Sequence, residues 1–147
     1  MKTLLDLKVG DVLSQEEWIT VSQEMIRTFA DATGDHQWIH LDEERCKDES
    51  PFGTTIAHGF LSASLMPKAF SEVIAPSEKI RSMINYGIDK LRFLEPVKSG
   101  DAIKYQFTVV EISDRPQGKL FKVEGSCVLK SSGRPALVGA FLMLAVL

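Results

Sequence analysis

The chain of 147 residues is 44% hydrophobic and 25% charged, ordinary globular values that exclude a fibre or a disordered tail and suit a single domain over residues 1–147. A formal net charge of −3, with no basic run, gives no electrostatic footprint for a nucleic acid. Asp6 and Lys8 interrupt "MKTLLDLKVGDV" where a signal peptide needs an apolar core, and "ALVGAFLMLAVL" is too short to span a bilayer, so a cytoplasmic protein is expected.

Up to about residue 75 the pattern is mostly helical. "SQEMIRTFADATG" puts Met25, Ile26, Phe29 and Ala30 on one helical face, with Thr20 or Ser22 as N-cap and Gly34 as stop. Asp35 then falls just past a helix end. A short helix is expected from the Asp42 cap through "EERCKD", followed by loop chemistry in "ESPFGTT". Next comes a long helix from His58 and Gly59 to Ile74, apolar nearly all round and therefore buried, with a kink at Pro67.

From residue 80 the period falls to two. Ile84, Tyr86 and Ile88 share one face, but Leu91 and Phe93 continue on the other parity, which predicts a β-bulge near Asp89 and Lys90. Residues 102–112, 119–130 and 135–146 read as strands joined by hairpin turns at "SDRPQGK" and "KSSGRP". The expected class is α+β, an antiparallel sheet around a buried helix. The last strand is apolar on both faces, which places it centrally with its outer face covered by another element or a partner subunit. The two cysteines fit no metal or disulfide spacing; Cys127 alternates with Phe121, Val123 and Leu129 and reads as core.

All three histidines lie within a short stretch: His36 and His40 in "FADATGDHQWIHLD", His58 in "TTIAHGF". Asp35 and His40, in a non-helical loop, can turn toward one water as an acid/base pair; the alternative is a cap and a loop hydrogen bond. The first-turn N–H groups of the helix beginning at His58 and Gly59 suit a developing oxyanion, and Gly59 admits a carbonyl close to the backbone. His58 itself reads as an N-cap-region residue packed on the loop ahead of a direct catalytic role. Ser62 and Ser64 lie outside any G-x-S-x-G elbow and read as small residues of a packed face. "HQWIH" has the spacing of a zinc-binding helix, yet Gln37 stands in place of the base and Gly34 argues against a helix interior, so no metal site is expected. No Gly-rich phosphate loop is present.

"FADATGDHQWIHLD", "PFGTTIAHGFLSASL" and "LRFLEPVKSGD", in that order, resemble the MaoC-like dehydratase family, which includes the (R)-specific enoyl-CoA hydratases and the nodulation protein N group. The resemblance covers nearly the whole chain. It implies a hot-dog fold, in which an antiparallel sheet wraps a long central helix, and usually a homodimer. It implies reversible hydration of a trans-2-enoyl-CoA to a (3R)-3-hydroxyacyl-CoA, with Asp35 and His40 as the catalytic pair on one water, Gly59 as oxyanion donor, and no metal or redox cofactor. Trp38 is a candidate wall for the acyl chain, and His58 and Ser62 are candidate substrate contacts. Gln37 and Trp38 stand where the family motif has Asn-Pro, a departure that bears on loop geometry and acyl-chain preference. The alternatives are a thioesterase on the same scaffold and a non-catalytic acyl-CoA-binding or partner-binding module.

Overall fold

Helical periods precede strand periods in the sequence, and the computed structural model, which describes residues 1–147, keeps that division with one addition at the N-terminus. A 3₁₀ turn over Leu4–Asp6 is followed by two short strands, β1 (Val12–Ser14) and β2 (Ile19–Thr20), in a stretch where no strand pattern is visible. Their shortness is the reason: alternation over two or three residues has no period to detect.

Helix α1 (Gln23–Thr33) starts at Ser22, whose hydroxyl accepts from Met25 N–H at 3.1 Å, and stops at Gly34, which takes the left-handed φ of 82°. A single turn, α2 (Trp38–Leu41), leads into α3 (Glu43–Glu49), where the Asp42 carboxylate caps Arg45 N–H at 3.0 Å. The expected long helix is instead two short ones, α4 (Gly59–Ser64) and α5 (Met66–Glu72), separated at Leu65. Pro67 begins the second helix rather than kinking the first, because in a first helical turn its missing N–H has no bond to lose. Burial is also one-sided: Leu61, Ala63, Met66, Ala69 and Phe70 face the core, whereas Phe60 is 65% exposed.

Strands β3 (Ser82–Phe93), β4 (Ala102–Arg115), β5 (Gly118–Leu129) and β6 (Pro135–Val146) complete a six-stranded antiparallel sheet of order β1-β4-β5-β6-β3, with β2 also paired to β4. β5 is the middle strand and β6 an interior one, paired on both sides, which accounts for its apolar character. The predicted bulge lies between Asp89 and Arg92, with Lys90 at a φ of 54°, and a second register shift falls between Asn85 and Gly87. One face of the sheet packs on α4 and α5. Tyr105, Phe107 and Val109 of β4, Phe121, Val123 and Cys127 of β5, and Leu137 and Phe141 of β6 are all buried there. Phe70 anchors α5 edge-on against Phe107 and Phe141, with ring centroids 5.3 and 5.6 Å away. Cys127 is core, as its alternation predicts, and burial pushes its thiol up to about 11, which keeps it unreactive. No helix is long and apolar enough to cross a membrane.

β3 ends the sheet, and Ile84, Tyr86 and Ile88 on it are roughly half exposed. Its C-terminal end runs past the start of α4, and α1 delivers the chain to the same corner. The chemistry-bearing residues meet there.

Candidate active site

Gly34 reverses the chain and releases Asp35 into a loop, where its side chain is half exposed. Two local hydrogen bonds hold this residue loosely: its N–H donates to Thr33 Oγ1 at 3.3 Å, and its carboxylate accepts from Gln37 N–H at 3.4 Å. His40 follows on α2 and is buried. Its Nδ1–H donates to the Ile56 carbonyl at 2.7 Å, which fixes the tautomer and leaves Nε2 as a free acceptor. The backbone of His40 is held as well. Gln23, the first residue of α1, donates from Nε2 to the His40 carbonyl at 2.8 Å and accepts from the Thr55 hydroxyl at 2.5 Å.

Burial holds the His40 imidazole below the ordinary histidine range, against the Ile56 hydrogen bond, which favours the charged form; His58 beside it adds a downward push and Asp35 an upward one. His58 lies flat on His40, with ring centroids 3.7 Å apart and planes 20° from parallel, and Phe29 is tilted against it at 4.9 Å. His58 Nε2–H donates to the Asp35 main-chain carbonyl at 3.0 Å, and the Asp35 carboxylate is 3.9 Å from the same nitrogen. One ligand-type atom each from Asp35, His40 and His58 lies within 4.8 Å of the other two. One water making two hydrogen bonds of about 2.8 Å bridges such a gap. A metal ion is a poorer fit, because near-parallel stacked rings direct their in-plane lone pairs side by side rather than at a common point.

Gly59 and Phe60, in the first turn of α4, have N–H groups that meet no protein acceptor, while Leu61 N–H turns back to the His58 carbonyl at 3.0 Å. Gly59, His40 and Ser62 line one cavity of about 260 Å³ whose apolar wall includes Ile56, Phe93 and Val97. A Cβ on Gly59 would stand 3.0 Å from three atoms of the Phe93 ring, so glycine lets α4 pack closely on the end of β3 without displacing that ring. Ser62 is buried at the back, and its carbonyl accepts from the Tyr105 hydroxyl at 2.5 Å.

Residues 6–128 match the family model described as the MaoC like domain. The chain belongs to the MaoC-like domain family. Among its relatives, 3-hydroxyacyl-thioester dehydratase Z of Mycobacterium tuberculosis is 39% identical over 130 residues, covering 88% of this chain and 85% of the relative. Nodulation protein N of Rhizobium leguminosarum bv. viciae is 41% identical over 139 residues, covering 93% and 86%. The unliganded R-hydratase from Pseudomonas aeruginosa superposes with a TM-score of 0.77 at 27% identity, covering 97% of this chain and 84% of that one. The antiparallel sheet and its buried helices are thus the hot-dog fold of the MaoC-like hydratases.

On this MaoC-like frame His40, Gly59 and Ser62 share a cavity, and Asp35 joins His40 through the loop held by His58. Trp38 does not line that cavity; the Arg45 guanidinium covers its ring at 4.0 Å. His36 faces away and pairs with Asp31 at 2.9 Å on the surface. Sequence reasoning passed over Gln23, Thr55 and the Ile56 carbonyl. A backbone acceptor leaves no mark in a sequence, and a glutamine at a helix start looks like any surface residue. Phe93 and Val97 did carry a signal, since both lie in "LRFLEPVKSGD", but nothing in that string says which side chains face the cavity.

Proposed function

We propose that this protein is an (R)-specific enoyl-thioester hydratase, a hydro-lyase that reversibly converts a trans-2-enoyl-CoA to the (3R)-3-hydroxyacyl-CoA. The observation that carries the reading is His40, whose Nε2 is left free by the Ile56 bond, whose ring brings a nitrogen within 4.8 Å of an Asp35 carboxylate oxygen, and which lines the same cavity as Gly59 with its unpaired N–H. Its family, and relatives named as a 3-hydroxyacyl-thioester dehydratase and an R-hydratase, support the same chemistry.

Asp35 and His40 hold the water. As the water oxygen bonds to C3, one of its protons passes to the Asp35–His40 pair and negative charge grows on the thioester oxygen; the pair then returns one proton to C2 on the same face, so that the elements of water are added across C2–C3 and the pair is restored. The Gly59 N–H at the start of α4 receives that charge. His40 must be neutral to accept from the water, and its buried setting favours that form. Ser62 and the apolar wall of Ile56, Phe93 and Val97 bracket the acyl group.

The site as a single chain presents it leaves Asp35 half exposed, and β3 ends in an unpaired edge bearing Ile84, Tyr86 and Ile88. A second copy against β3 covers these apolar side chains and makes the protein a homodimer. The two free, buried cysteines suit the reducing cytoplasm, where acyl-CoA is found.

The test is the conjugated enoyl absorbance of crotonyl-CoA and longer enoyl-CoA substrates, with Asp35→Asn and His40→Ala measured beside the wild type. The expected result is loss of the enoyl band without release of CoA thiol, falling by about 10²–10⁴-fold in each variant while acyl-CoA binding persists. Thiol release identifies a thioesterase, and a flat trace with retained binding identifies a binding module.

A further inference from the structure

We propose that His58 is the positioning residue of this site: one face of its ring seats the His40 imidazole while its Nε2–H holds the Asp35 loop, keeping the two water-holding groups in register. The kinetic part of this inference rests on the hydratase reading above.

Three observations point to it independently of any substrate. First, the Asp35 loop has little else to hold it. Its two local hydrogen bonds measure 3.3 and 3.4 Å, and the 3.0 Å bond from His58 to the Asp35 carbonyl is the shortest on that residue. Second, the ring is clamped between Phe29 and His40, so it has no freedom to rotate away and its flat face limits His40 in turn. The Ile56 bond fixes one point of the His40 ring, and the stack fixes its plane.

Third, His58 is 3% exposed, yet its Nδ1 has no hydrogen-bond partner. A buried acceptor left unpaired is a cost that an apolar side chain of the same size avoids. What such a side chain cannot supply is the Nε2–H. With Nδ1 unpartnered and Nε2 donating, the ring is committed to a single tautomer and spends its one proton on the Asp35 loop.

His58 also occupies the N-cap position of α4, directly before Gly59, and Ala57 beside it is pinned by its N–H to the Val97 carbonyl at 2.7 Å. A single residue therefore links the acid, the imidazole and the N–H donor of the site. It touches the other two groups rather than the cavity, whose lining includes His40 and Gly59 but not His58.

Two variants test the assignment. His58→Leu fills the space without a donor, and His58→Gln places a carboxamide N–H at a comparable reach. With crotonyl-CoA, His58→Leu is expected to lower kcat by about 10–100-fold with KM changed less than about threefold, as a small misplacement of reacting groups does. His58→Gln is expected to return kcat to within about fivefold of wild type. Amide hydrogen exchange over residues 35–41 provides a readout that needs no turnover: about tenfold faster in His58→Leu and near wild type in His58→Gln.

Equal kcat in all three proteins, or a His58→Leu defect that appears only as a lower Tm, overturns the proposal. So does a His58→Gln variant as impaired as His58→Leu in both kcat and exchange. A wild type that hydrates no enoyl thioester but shows the expected exchange pattern overturns the hydratase reading and upholds the role of His58. If His58→Leu does not fold, His58→Gln against wild type still decides, since it keeps a donor and loses the ring face: exchange near wild type with kcat within about fivefold upholds the bond to the Asp35 loop as the main hold, and faster exchange over residues 35–41 overturns it.

Discussion

Replacing Gly59 by alanine separates the chemistry of α4 from its packing. The added Cβ would lie 3.0 Å from three Phe93 ring atoms, whereas carbon atoms in contact normally sit about 3.5–4.0 Å apart, so the ring must yield by roughly 0.5–1 Å. It has room to do so: Phe93 is 46% exposed and rests edge-on against Phe60, itself largely in solvent. Overpacking of this size costs about 1 kcal/mol, and the better helix propensity of alanine offsets up to about the same amount. Stability should therefore change by less than about 1 kcal/mol, a Tm shift within roughly 4 °C. Activity should not follow. In the proposed reaction the thioester oxygen approaches the Gly59 N–H past the position of this methyl group, and blocking one such donor costs on the order of 10² in kcat, about 2.7 kcal/mol of transition-state stabilisation. Thermal melts and crotonyl-CoA hydration on the same preparations supply both numbers. Gly59→Ala combined with Phe93→Ala should stay inactive, because the ring is gone but the methyl remains; recovery in the double variant transfers the effect to Phe93. An unchanged kcat/KM in Gly59→Ala alone refutes the donor role of that N–H.

Other outcomes follow from the same geometry. Because burial lowers the folded-state affinity of His40 for its proton below the ordinary value near 6.5, the unfolded chain binds more protons in the window just below that pH, so the stability contributed by neutral His40 is complete above it and falls as pH drops. Urea melts from pH 7.5 down to 5 should show that loss in wild type and a smaller one in His40→Gln, and hydratase activity should fall over a lower pH range than a free imidazole would give. Tyr105→Phe removes the donor to the buried Ser62 carbonyl and should cost about 1–2 kcal/mol, lowering Tm by roughly 3–6 °C in a calorimetric scan with KM little changed. Charging the sheet edge with Tyr86→Lys and Ile88→Lys should halve the mass seen by light scattering, since both side chains are more than half exposed in the single chain; a wild type already at the mass of one chain rejects the homodimer.

Strong local signals carried over from sequence to structure, and long-range ones did not. Of the two cap candidates Ser22 starts α1, Gly34 ends it as expected, Asp42 caps α3, and three long strands begin and end close to the expected positions, because caps and period-two alternation act within a few residues. The bulge at Asp89 to Arg92 was legible as a change of parity. The long helix was not two helices on the page, since a proline inside an apolar run looks the same whether it kinks one helix or starts another. At the site, Asp35, His40 and Gly59 were legible as residue types near a helix stop and a helix start. What joins them was hidden: the stack of His40 on His58 and the bond to the Ile56 carbonyl depend on how two loops meet in space. Trp38 illustrates the reverse case. Its size and place suggested a wall, but Arg45, one helix later, covers its ring.

The Ile56 carbonyl gives His40 an asymmetry that matters in the proposed reaction. With Nδ1 occupied, the imidazole has a single nitrogen through which a proton can arrive or depart. It cannot take a proton at one edge and pass it to solvent from the other, as a two-sided imidazole relay does. A proton taken from water during hydration leaves by the nitrogen it entered, toward Asp35 or toward the substrate, and dehydration retraces the route. The fixed tautomer thereby confines proton traffic in both directions of the proposed reaction to Nε2.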